Sequence, residues 1–526
     1  MATTRSFRII LIILVFLQLL YGLALAMFSL PGFPRSMDTG GFFPYLSDKP
    51  VGEDGYYMLT VAWNIASGKG IVYNYQQPTT GIQPLSTFLD ASIAWMVQML
   101  GGDKWIFTRV ILFMGTIYLL VFAHLTGRIA ASIASQYPVV DQYSYVIAFL
   151  VTLFNYGLFR IFAYGLETGL YMILLSLNVL FTIKLFRGEP NYWKAAGFGF
   201  LAGLTILARM DFVIVFGVFL LLGMFKKQFT ILWGLVALGI ALLSASPWFI
   251  FVFLTTGGLI PSSGSAQASL VGFPQLAGRI WEMIRSLISH FVPWIYSRPS
   301  ILLSFVAVFI LLLIFYALIR NRNTRTFAVS VIKTQVIFQN WCLGLLVIVA
   351  VYLIAFEAVH FYTRYTAPIQ VVLIPLGSAI LAFFFTNTKG KKMFATLLLL
   401  PCLFLIWSLI TLHTGVITNS QAVLAGYVMN EFPSQVKVGA FQSGVAGYFN
   451  SNVVNLDGKM NRDALEAEKN GKLADYIDEE NITVLVDWPE VINKKLPAQY
   501  IQDNWKSCKR IVPDGKSICL VRIQPH

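Results

Sequence analysis

The sequence predicts an all-α polytopic membrane protein of about eleven spanning helices, with interfacial helices in a long first outer loop and a small α/β domain at its C-terminal side. Three observations lead there. Hydrophobic residues fill 57% of the 526 positions and charged residues only 12%, where a soluble domain carries roughly a quarter charged; mean hydropathy is +0.70. Between positions 9 and 412 apolar runs of roughly 18 or more residues recur, each long enough to cross ~30 Å of hydrocarbon as a helix. After Gly415 the pattern changes to short alternating segments of balanced charge.

Charge sets the orientation. The formal excess of +13 lies in the apolar part, because the segment from Gly415 onward holds twelve Lys and Arg against thirteen Asp and Glu. Such an excess fits the positive-inside rule rather than nucleic-acid binding. Basic clusters at Arg5/Arg8, Arg128, Lys184/Arg187, Lys226/Lys227, Arg320/Arg322/Arg325/Lys333 and Lys389/Lys391/Lys392 are therefore expected inside. That places the N-terminus inside and the C-terminal domain outside.

The expected spans are 9–30, 106–127, 145–163, 167–186, 195–208, 211–225, 229–255, 300–319, 341–358, 366–386 and 393–412. Ala24-Leu25-Ala26 resembles a cleavage site, but the apolar run before it is longer than the roughly 7 to 15 residues of a signal peptide core, which favours an uncleaved anchor. The first outer loop, 31–105, holds two amphipathic pieces at helical spacing. One runs over 55–67 and stops at Gly68; the other runs over 85–100 behind Pro84 and ends at Gly101-Gly102. Both suit helices at the interface. A second outer stretch, 255–299, opens rich in Gly, Ser and Pro, and its Glu282 and His290 read as part of an ordinary amphipathic helix. Beyond 414, strands are expected over 436–441, 453–456, 482–487 and 518–523, with a helix over 463–480. The domain division is thus 1–414 for the membrane part and 415–526 for the α/β domain. Cys342 and Cys402 read as small hydrophobes in helices, and spacing leaves a disulfide between Cys508 and Cys519 open.

Ionisable residues close to hydrocarbon need a reason. Glu53 and Asp54 end the first loop's leading stretch; Glu167 sits between two spans; Arg209 and Asp211 turn the short hairpin; Glu357, His360 and Arg364 end a late span, and Arg109 begins an early one. The topology sends all of them to the outer side. Carboxylates there suit proton transfer, while guanidinium and imidazole groups suit a phosphate. A blander reading stands beside each: Asp54 and Glu167 as helix-start residues favoured by the dipole, Arg209 and Asp211 neutralising one another, Arg364 snorkelling to the interface, Tyr57 as an interface aromatic.

Five segments in order carry a resemblance. They are Glu53-Asp54-Gly55-Tyr56-Tyr57 with Thr80-Gly81-Ile82-Gln83-Pro84, then Gly165-Leu166-Glu167-Thr168-Gly169, Leu207-Ala208-Arg209-Met210-Asp211, Gly258-Leu259-Ile260-Pro261 and His360-Phe361-Tyr362-Thr363-Arg364. The set resembles GT-C polytopic glycosyltransferases, nearest the arabinofuranosyltransferase-like branch, with relatives among protein O-mannosyltransferases and lipid A aminoarabinose transferases. The chain departs from that pattern at Glu53, at Met210 where many relatives have Pro, and at Gln267 where a Lys often stands.

The resemblance implies a polyprenyl-phosphate sugar donor and a glycan, lipid or protein acceptor, in a bacterial inner membrane with transfer on the outer side. It implies Asp54 as general base with Glu53 second and Glu167 beside them. Arg209, His360 and Arg364 would hold the donor phosphate, with Tyr57 and Asp211 as further site residues. A divalent metal on Asp54 and Glu167 stays open. The rival reading is a transporter or flippase of an anionic lipid-linked substrate.

Overall fold

The structure, a computed structural model, describes residues 5–27, 51–74, 77–186, 191–267, 273–291, 308–309, 312, 315–355, 362–387, 420–512 and 514–523. The expected span 393–412, most of 300–319, the boundary at 414/415, Glu357 and His360 lie outside the described residues.

The helices run in the expected order: α1 (Arg5–Met27), α2 (Glu53–Ala66), α3 (Pro84–Met99), α4 (Lys104–Ile133), α5 (Pro138–Leu153), α6 (Tyr156–Phe162), α7 (Thr168–Leu185), α8 (Tyr192–Ala208), α9 (Phe212–Phe225), α10 (Ile231–Thr256), α11 (Ser262–Gln267) and α12 (Phe273–Ser289). Helices Val336–Ala355 and Gln370–Asn387 follow. Among the described residues five helices are long and apolar enough to cross a membrane, including α4, α7 and α10, and α8 and α9 are shorter apolar helices. This is an integral membrane protein. The expected span 145–163 is one broken element: α5 and α6 meet at 60°, and Asn155 at the break accepts from the Leu158 N–H to start α6.

The bundle packs around α4, which lies against α1, α5 and α7, while α8 packs on α10 and α9 on Val336–Ala355. Its core is dense in aromatic rings: Trp341 stacks on Phe219 at 4.4 Å and Trp233 lies 4.6 Å from Phe229. Without a hydrophobic drive between helices in lipid, such contact area supplies the cohesion.

The C-terminal part is a five-stranded sheet in the order β2-β1-β3-β5-β4, with β1 (Val438–Ala440), β2 (Val453–Asn455), β3 (Val484–Asp487), β4 (Trp505–Ser507) and β5 (Ile518–Arg522). β1 pairs parallel with β2 and β3, and β5 pairs antiparallel with β3 and β4. The parallel strands are Val-rich and fully buried, as strands covered on both faces must be. Edge strand β4 alternates too weakly to be read from sequence. The helix expected over 463–480 is two helices, Arg462–Lys469 and Leu473–Glu479, broken where Gly471 takes φ 69°. Cys508 and Cys519 are disulfide-bonded.

α2 begins at Glu53, so both carboxylates occupy a helical first turn, where the dipole favours negative charge. From Gly55 to Ala62 every residue of α2 is buried. It lies between α3 and the helix Gly444–Phe449 of the α/β part, and one apolar cluster runs from Tyr56 and Leu59 through Phe107 to Val445, Tyr448 and Val484. The two parts share that core. At Gly55 a Cβ would stand 2.1 Å from the Tyr164 carbonyl oxygen, so only glycine lets α2 approach the turn ahead of α7.

Gly55→Ala is expected to lower stability by about 1–3 kcal/mol through this overlap. Gly197→Ala, where the nearest atom is 3.8 Å away, should stay within about 0.5 kcal/mol. Thermal melts of the purified proteins in detergent check the contrast.

Candidate active site

The turn Tyr164-Gly165-Leu166-Glu167 faces the first turn of α2, with Gly165 at φ 72° and the Gly52 N–H donating to the Tyr164 carbonyl at 3.1 Å. This brings Asp54 and Glu167 to opposite sides of Arg364. Glu167 is 0% exposed and accepts from Arg364 Nη2 with both oxygens, at 2.7 and 2.9 Å, and from Nε at 3.3 Å. It makes no capping bond to α7. Such a fork holds the guanidinium in a fixed plane. Asp54 Oδ2 lies 4.0 Å from Arg364 Nη1.

Asp54 meets a second cation that the sequence reading missed. Lys459 follows β2 in the turn Asp457-Gly458-Lys459, and its Nζ reaches Asp54 Oδ1 at 3.0 Å and Asp457 Oδ2 at 3.5 Å. The available signal was an acidic-glycine-basic turn at a strand's carboxyl end, where open α/β sheets place functional groups.

Arg209 and Asp211 pair at 3.0 Å, as their blander reading expected. Yet Arg209 does more. It sits 3% exposed among the rings of Tyr171, Tyr352 and Tyr365, at 5.4, 5.7 and 5.2 Å, and Nη2 donates to the Tyr352 hydroxyl at 2.9 Å. Among the described residues its buried Nη1 has no hydrogen-bond partner. Arg209 lies within electrostatic range of Glu167 and Arg364. Arg109, in the first turns of α4, donates through Nη1 to the Trp105 carbonyl at 3.2 Å.

Glu53 points elsewhere. Its carboxylate accepts from the backbone N–H groups of Gly444 and Val445, the latter at 3.2 Å, and so ties α2 to the α/β part. Adjacent helical residues project about 100° apart, which is why the two halves of the acidic pair separate. Burial pushes the Glu53 carboxyl up to about 8, against the opposing pull of Val445 and Gly444 N–H. Tyr57 likewise serves the junction: its hydroxyl contacts the Phe441 carbonyl at 3.3 Å and the Ser443 N–H at 3.1 Å.

Asp54 and Glu167 do not fit a divalent metal as arranged. Both oxygens of Glu167 are taken by Arg364, and Asp54 lies between two cations. Among the described residues no three His, Cys, Asp or Glu gather as a ligand set.

No protein-family model matches the chain, and no curated protein matches its sequence. Among solved structures the chain is similar to ArnT from Cupriavidus metallidurans bound to undecaprenyl phosphate, at 10% identity over 99% of each chain with a TM-score of 0.58. It also matches the archaeal oligosaccharyltransferase AglB from Archaeoglobus fulgidus, in complex with an inhibitory peptide and a dolichol-phosphate, at 12% identity over 91% of this chain and 69% of that one, TM-score 0.49. The Archaeoglobus fulgidus oligosaccharyltransferase in complex with Zn and sulfate gives 11% identity over 92% and 68%, TM-score 0.46. The ArnT likeness spans both parts of the molecule and shows the GT-C fold.

With its folded-state value raised, Glu53 binds more protons folded than unfolded between its ordinary 4.5 and about 8. Stability is therefore expected to fall as pH rises through that window and to level off above it. Glu53→Gln should flatten this slope, measured as melting temperature against pH.

Proposed function

We propose that the protein is a membrane glycosyltransferase that moves a sugar from a polyprenyl-phosphate donor to an acceptor hydroxyl on the extracytoplasmic side, with inversion. The observation that carries the reading is Arg364 shared between Asp54 and Glu167, with Arg209 within electrostatic range of Arg364 and Glu167, in a bundle folded like ArnT, a protein solved with undecaprenyl phosphate. The orphaned N–H of Arg209 adds to it, because a buried unpaired donor costs roughly 1–3 kcal/mol and a phosphate oxygen would satisfy it.

In this mechanism the acceptor hydroxyl gives its proton to Asp54 while its oxygen attacks the anomeric carbon from the face opposite the phosphate. A new C–O bond forms and the bond from the anomeric carbon to the phosphate oxygen breaks. The electron pair leaves with the lipid phosphate, whose charge Arg364 and Arg209 stabilise. Glu167 holds Arg364 in plane for that contact. His360 completes the proposed set of phosphate ligands. The membrane part and the α/β domain act as one unit in a bacterial inner membrane, with the α/β domain outside.

Purified protein incubated with a panel of polyprenyl-phosphate sugars should release free lipid phosphate, read by mass spectrometry. If no donor is consumed, the reading fails. Asp54→Asn is expected to slow release by roughly 10²–10⁴ while binding of undecaprenyl phosphate persists; translocation without covalent product would instead favour transport. Arg364→Lys loses the fork and should raise the donor KM by about tenfold or more.

A further inference from the structure

The described carboxylates and cations of this junction form a chain of alternating sign: Asp457, Lys459, Asp54, Arg364, Glu167. Lys459 is its pivot, since it alone joins an aspartate of α2 to one that follows β2. Its ammonium stands 3.0 Å from Asp54 and 3.5 Å from Asp457, over the Tyr57 ring at 5.8 Å.

The Lys459 backbone is held from three sides. Its N–H donates to Asp457 Oδ1 at 2.9 Å, and its carbonyl accepts from Ser262 Oγ at 2.9 Å. On the first loop, Gly81 packs so close that a Cβ there would lie 2.0 Å from the Lys459 carbonyl oxygen. A long flexible side chain on a pinned backbone delivers its charge to one place. Burial by itself lowers the Lys459 ammonium, but Asp54 and Asp457 outweigh it and hold the proton more firmly than on a free lysine.

Two carboxylates from different parts of a chain, facing one point, are the usual beginning of a divalent-cation site. Here that point is filled by a side chain. A divalent ion would have to expel Lys459, and the Asp54 carboxylate it met would still face Arg364.

We infer that Lys459 is the built-in cation of this site: its ammonium bridges Asp54 and Asp457 where a divalent ion would otherwise sit, positions the Asp54 carboxylate, and frees the site from any need for divalent metal. The role rests on the proposed transfer reaction only in making Asp54 the reacting carboxylate. Lys459 acts through Asp54 and is a positioning residue.

The test uses full-length protein in detergent and Mn²⁺ followed by its electron paramagnetic resonance signal. Wild type is expected to take up no Mn²⁺ and to consume donor at a rate that EDTA changes by less than about twofold. Lys459→Ala and the length-preserving Lys459→Met should each take up about one Mn²⁺ per chain, lose it again when Asp54→Asn is added, and consume donor at least about tenfold more slowly. Lys459→Arg should restore the wild-type pattern. Mn²⁺ uptake by wild type that disappears in Asp54→Asn overturns the inference, as does a folded Lys459→Ala and Lys459→Met pair that takes up none. If neither variant folds, the wild-type arm decides alone. Failure of every form to consume donor would strike the transfer reading and leave the Mn²⁺ result standing.

Discussion

The segments that follow the parallel strands β1 and β2 meet the first two turns of α2, and the site depends on that contact. From the helix Gly444–Phe449 that follows β1 come the Gly444 and Val445 N–H groups that receive Glu53, and from the residue just before it Ser443, which meets Tyr57. From β2 come Asp457 and Lys459, which receive Asp54. Five consecutive positions of α2, from Glu53 to Tyr57, include three polar contacts to the α/β part, and Gly55 among them lets the same helix touch the turn carrying Glu167. α2 is therefore clamped between the bundle and the α/β region. Moving either surface would move Asp54.

Electrostatics gives the clamp its stringency. The alternating chain from Asp457 to Glu167 is largely removed from water, with Glu167 0% exposed and the Asp54 side chain at 16%. In such surroundings removal of one partner strands its neighbour, at a cost of about 3–5 kcal/mol for a buried pair. Arg364 is shared between Glu167 and Asp54, and Lys459 between Asp54 and Asp457, so each cation is balanced from two elements. The Arg209 cage of three tyrosines lies beside this chain with its own carboxylate, Asp211. Its rings supply negative faces where another carboxylate would quench the charge. A guanidinium held that way keeps its electrostatic reach.

The acidic pair that stands out in the sequence divides its labour by helical geometry. Glu53 faces the sheet and Asp54 faces the cations, because one residue of helix rotates the side chain by about 100°. Read as a loop, the pair looks like two versions of one function. Read as a helical first turn, it is one tether and one member of the charged cluster.

By itself the sequence determined the membrane character, the order of the helices, the break at Gly68, the α/β nature of the C-terminal part and the placing of Glu167, Arg209 and Arg364 near helix ends. These follow from local composition and periodicity, which the chain must satisfy wherever it folds. Glycine at 55 and 165 was visible as a motif but not as a close approach. Only the tertiary structure decided that Lys459, more than four hundred positions from Asp54, pairs with it at 3.0 Å, that Glu53 turns away, and that Cys508 meets Cys519. β4 and the break at Gly471 also escaped, being short elements whose form is set by their neighbours. Pairings between distant segments depend on how two independently patterned parts dock, and neither part's pattern records the face that the other will cover.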